Sequence, residues 1–167
     1  RLRGKNSPLL KDQNLASKSS RELVSFLDHD NQWHRQTAVR VLAGRKDPSI
    51  IPLLEKLLFE EETHPALEAL WTLHQMDALN LQTALHLLDH SSPMVRAWNI
   101  RLRGDNGYLA PEFFSKLKAL SSREPDSEVR CQILSTASRI DHKQALPLVA
   151  QIIRRDDDLK DPFIPLM

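Results

Sequence analysis

At 167 residues, with 41% hydrophobic and 27% charged side chains, the chain is long enough for one domain with a real core, and this balance excludes a disordered tract. Its 23 basic and 22 acidic side chains leave a net charge of +1, which excludes a long-range field drawing it onto nucleic acid or an anionic membrane. Four glycines and 5% aromatics argue against sandwiches and barrels, while recurrent leucine and alanine lose little rotamer freedom in helices.

In chain order, residues 1–18 are polar and aperiodic and read as a linker or the tail of an upstream domain. From Ser19 the pattern turns helical. Ser19 and Glu22 form a capping-box signature that opens a helix over 19–28. A polar turn containing Asp30 precedes a helix over 32–43. Asp47-Pro48, Asn80, Ser92-Pro93, Ala110-Pro111, Asp141 and Asp161-Pro162 mark further starts. At these sites a short polar side chain accepts an orphan N–H, or proline fills the first turn. The remaining predicted helices are 48–59, 64–76, 81–90, 93–103, 111–121, 126–139, 142–155 and 162 onward. Short connections make consecutive helices antiparallel. Leu42, Leu73 and Leu134 are expected in the core. No apolar run nears the roughly 20 residues that cross a bilayer, so no membrane insertion is expected.

The helix pairs resemble one another. Residues 51–58 align with 146–153 without a gap, each carrying a proline early in the first helix of a pair. Taking Arg35, Ala66, Arg96, Arg130 and Ile164 as equivalent gives spacings of 31, 30, 34 and 34 residues. Such a period marks an α-solenoid. The expected architecture is therefore all-α, a right-handed α-α superhelix of about five pairs. Its units are about 19–47, 48–79, 80–109, 110–140 and 141–167, the last truncated. The chain opens at Arg1 without Met and stops in mid-pattern, so it reads as a piece of a longer protein. A missing targeting segment then says nothing of compartment.

Asp30, Arg35, Ala38 and Leu42, with Val95-Arg96 and Val129-Arg130 matching in part, resemble the HEAT and armadillo-like repeat family. The second unit departs most, with Pro65-Ala66 in place of Val-Arg. More narrowly, residues 20–42, 69–74 and 161–166 resemble the HEAT segment of bacterial membrane-bound-dehydrogenase-like, haem c-binding proteins. That resemblance implies a β-propeller upstream, a cytochrome c domain downstream and an exported or periplasmic setting. It implies that any redox role belongs to other parts, with no cofactor in this chain.

Candidate sites are few. On a helical wheel with the Arg35-equivalent position at zero, Trp33, Trp71 and Trp98 fall at about 160°, 140° and 200°, and Arg40 and Arg101 share that side. In a solenoid this face lines the concave groove, and exposed Trp and Arg dominate binding energies. The competing reading is packing within the protein, most of all for Trp71 in its apolar run. His86 and His90, four apart, could share a metal, but two ordinary histidines explain the spacing equally well. Asp156, Asp157 and Asp158 lack the glycine and distal Glu of a calcium loop. Cys131 is the sole cysteine, which excludes an internal disulfide, a thiolate cluster or a CxxCH haem motif. Near a helix start its pKa could be lowered, although a buried structural thiol is commoner. No His-Glu pair, phosphate loop or nucleophile elbow occurs. The expected role is a non-catalytic protein-interaction or domain-packing scaffold whose partner is protein. The alternative is a nucleic-acid-binding enzyme of the DNA glycosylase type using the Trp/Arg face; the charge balance argues against nucleic acid.

Overall fold

A computed structural model describes residues 14–60, 64–155, 158 and 161–164. Among these residues there are nine α-helices, three short 3-10 turns and no strand. The helices are α1 (Ser20–Ser25), α2 (Gln32–Arg45), α3 (Ile51–Glu60), α4 (His64–Gln75), α5 (Leu81–Leu87), α6 (Pro93–Gly104), α7 (Pro111–Ser121), α8 (Ser127–Ala137) and α9 (His142–Ile152). Turns over Phe26–Asp28 and Pro48–Ile50 extend α1 and lead into α3.

The starts arise from local chemistry. Ser19 Oγ accepts the Glu22 N–H at 3.3 Å, while the Glu22 carboxylate accepts the Ser19 N–H at 2.8 Å. Asn80, Asp126 and Asp141 cap α5, α8 and α9 with side-chain oxygens that accept first-turn N–H groups. For α2 the cap is Asn31, whose Oδ1 accepts the Trp33 N–H at 2.9 Å, and not Asp30 one residue earlier. At α6 and α7 no side chain caps, and Pro93 and Pro111 open the first turn. Proline removes one of the donors a cap would have to satisfy. Asp161 makes the turn of a further start, accepting the Phe163 and Ile164 N–H groups at 2.8 and 2.9 Å. Most of the helix expected from 162 onward lies outside the described residues.

The second helices of successive pairs stack in series, α2 on α4, α4 on α6 and α6 on α8, while α5, α7 and α9 form a parallel row. This translational order makes the molecule an all-α helical-repeat solenoid. Leu42 and Leu73 are fully buried and Leu134 nearly so, as the periodicity requires. Burial shifts the 51–58 alignment by one residue: Leu54 and Leu58 occupy the core as Leu148 and Ile152 do. Pro147 thus falls inside α9, whereas Pro52 is the second residue of α3.

Two core clusters meet at the third unit. Leu87 and Val95 belong to the first, and Ala84, Leu88 and Ile100 to the second. Asn99 sits there fully buried, at the position Ala38 and Ala69 hold in earlier units, and donates to the Ala84 carbonyl at 2.9 Å. Residues 1–13 of the expected linker lie outside the described residues. Its end is not free: a turn at Leu15–Ser17 buries Leu15 in the first cluster.

Candidate functional site

The arginine that marks the first, third and fourth units, Arg35, Arg96 and Arg130, is a structural clamp. Arg96 donates from Nε and Nη2 to both oxygens of Glu124 at 2.9 and 2.6 Å. Its Nη1 donates to the carbonyls of His90 and Ser91 at 2.7 and 3.0 Å. Arg130 repeats this in the next unit, pairing with Asp158 and donating to the Glu124 and Pro125 carbonyls at 3.0 and 2.8 Å. Both acids are buried. Each lies 28 residues beyond its arginine. Bidentate guanidinium geometry, with four of the five N–H donors engaged, is what lets such charges leave water.

The position six residues before each arginine serves twice. Its backbone oxygen accepts Nη1, and its side chain accepts the N–H two residues on. His29 accepts from Asn31 at 2.9 Å, His90 from Ser92 at 3.0 Å and Glu124 from Asp126 at 3.0 Å. Asp158 holds the same place ahead of Ile164. The second unit breaks the series, with Ala66 in place of the arginine. There Arg35 reaches Glu68 on α4 at 3.1 Å while keeping its bonds to the His29 and Asp30 carbonyls. With no arginine arriving from the second unit, the third carries His90, whose Nε2 donates to the Leu58 carbonyl at 2.9 Å.

These contacts bear on several candidate residues. His90 has both ring nitrogens engaged, on the Leu58 carbonyl and the Ser92 N–H, so it is a structural imidazole and not half of a metal pair with His86. Among the described residues no three His, Cys, Asp or Glu side chains converge on a cation position. Of the aspartate run, residues 156 and 157 lie outside the described residues, and Asp158 belongs to the Arg130 clamp. Cys131 runs opposite to an activated thiol: burial, then the Asp161 carboxylate, pushes its pKa up against the opposing pull of Arg130.

Four of the five wall residues come together. The Trp71 and Trp98 rings meet edge to face at 5.0 Å, and the Arg101 guanidinium lies 4.9 Å from the Trp98 ring centre. Arg40 and Trp71 line one hollow of about 190 Å³ between α2 and α4, with Gln36, Val39, Glu68 and Gln75. Trp71 is half-buried, and its Nε1–H is enclosed without an acceptor among the described residues. Arg40 and Arg101 are exposed and have no carboxylate partner among those residues. Trp33 stands apart. It is 50% exposed, and its ring meets His34 at 5.0 Å beside Phe26 and His29. The wheel gives direction but not height, and Trp33 lies seven residues, or about 10 Å along the helix, from Arg40.

A second hollow on the same wall, of about 430 Å³, lies between α8 and the turn at Asp161. Glu128, Cys131, Gln132, Ser135 and Phe163 border it. These positions follow the wall through units four and five, yet no aromatic on α8 signals them in the sequence.

A scan against protein families matches residues 20–88 to HEAT repeats. The matched segment holds α1 to α5 and the Arg35–Glu68 clamp, and it supports the HEAT-repeat assignment of this solenoid. No curated protein and no solved structure gives a significant match. No helix among the described residues is long and apolar enough to cross a membrane.

Proposed function

We propose that this chain is a non-catalytic scaffold that docks protein on the wall formed by α2, α4, α6 and α8. The observation that carries this reading is the Trp71–Trp98 pair with Arg101 stacked on it, a half-open aromatic and cationic surface. Trp and Arg are the residues whose loss most often abolishes binding. HEAT repeats are in general protein-interaction scaffolds, in keeping with the segment matched at residues 20–88.

Selection of a random peptide library on the full chain tests the reading. Enriched peptides should bind Trp98→Ala about tenfold more weakly or worse. Peptides that bind wild type and Trp98→Ala alike would remove the wall from the argument. A place inside an exported propeller–HEAT–cytochrome c protein, with protein domains as the partners, is a finer proposal resting on the resemblance of residues 20–42, 69–74 and 161–166. The flanking reading frame tests it, and a frame without either domain overturns it.

A further inference from the structure

The fifth position after Arg35, Ala66, Arg96 and Arg130 forms a row across the wall: Arg40, Trp71, Arg101 and Ser135 on successive second helices. The other charged arginines facing neighbouring helices are taken: Arg35, Arg96, Arg130 and Arg139 meet carboxylates, and Arg103 reaches the Leu79 carbonyl at 3.4 Å. Arg40 and Arg101 keep their donors toward solvent on either side of Trp71. Packed helices lie 8–10 Å apart, so α2 and α6, which carry the two arginines on either side of α4, lie roughly 16–20 Å apart. An extended polypeptide advances about 3.3 Å per residue, and five or six residues span that gap. Between them Trp71 offers a half-buried ring whose Nε1–H has no acceptor among the described residues.

Resting on the docking role above, we propose that this stretch of wall binds an acidic polypeptide strand. Two carboxylates about six residues apart seat on Arg40 and Arg101, and an intervening apolar or proline side chain lies against Trp71 and Trp98. A nucleic acid fits less well. Its phosphates form a continuous charge, whereas Glu128 and Asp161 border the next hollow on the same wall and repel it.

Titration of tryptophan fluorescence in the full chain tests this with three probes. One is a peptide of about ten residues with two glutamates about six apart around Pro-Leu, the second its lysine counterpart, and the third an oligothymidine of similar length. The glutamate peptide should bind, weaken with salt and lose about tenfold or more in affinity on Arg40→Glu or Arg101→Glu. Both sites are exposed, and unchanged thermal melts would show the variants folded. The lysine peptide should bind the Arg40→Glu/Arg101→Glu double variant better than wild type. Binding of the lysine peptide or oligothymidine to wild type in preference to the glutamate peptide overturns the proposal. So does glutamate-peptide binding that ignores both arginine variants. If library-selected peptides depend on Trp98 while the glutamate peptide fails, the wall still docks protein and only the acidic strand is lost.

Discussion

Glu124 is fully buried, and its carboxylate receives Arg96 twice and the Asp126 N–H once. Glu124→Ala leaves a guanidinium with a tenth of its side chain exposed and no counter-charge. It should cost about 3–5 kcal/mol, read as a lower urea midpoint. The double change Arg96→Met/Glu124→Leu should cost markedly less, because both charges depart together. A double variant as unstable as Glu124→Ala would show that shape, and not stranded charge, dominates. The arginines were visible in the sequence as repeat markers, but their partners were not. The acids stand 28 residues on, in turns whose approach depends on stacking, and in the second unit the partner moves to Glu68. The wall tryptophans were legible in direction alone: Trp71 and Trp98 meet, while Trp33 faces the same side two turns away.

Helices were the most legible part because their ends depend on neighbours within four residues. Ser19–Glu22, Asn80, Asp126 and Asp141 cap where short polar side chains precede periodic runs. Hydrogen bonds from Ser19 to Glu22, from Ser49 to Asp47 and from the Ile164 and Phe163 N–H groups to Asp161 hold these carboxyls below their ordinary values. Groups with lowered folded pKa values stabilise the fold above the unfolded carboxylate range and lose that contribution as pH falls through the folded value. Thermal midpoints should therefore fall as pH drops below about 4, and Asp161→Asn should fall less steeply than wild type. An Asp161→Asn curve parallel to wild type would assign the acid loss to other groups. Helix-to-helix clearance was not legible. A Cβ on Gly104 of α6 would lie 2.3 Å from Thr136 Cγ2 on α8, whereas one on Gly44 of α2 would meet nothing within 4 Å. Gly44→Ala should raise stability by about 0.5–1 kcal/mol through helix propensity. Gly104→Ala should lower it by about 1–3 kcal/mol, because the packed helices must separate. Calorimetry on both variants checks the opposite signs.

At the scale of the whole molecule the repeat spacing was enough to assign the solenoid, since a fixed translation follows from a fixed period. It did not reveal that the core divides at Asn99, which donates to Ala84 among residues of two clusters. A polar residue at a small-residue position reads as an imperfect repeat until its backbone partner is known. The clamps also give each unit an address. The fourth offers both a buried acid to its predecessor and an arginine to its successor, so a tandem copy of it would find each charge matched. The second offers alanine forward, and the third greets it with a histidine already tied to Leu58. Transposing the second unit to a place before the fifth would strand Asp158 without Arg130. The sequence of charges at the joints thus encodes the order in which the segments follow one another, as keyed couplings do in a train.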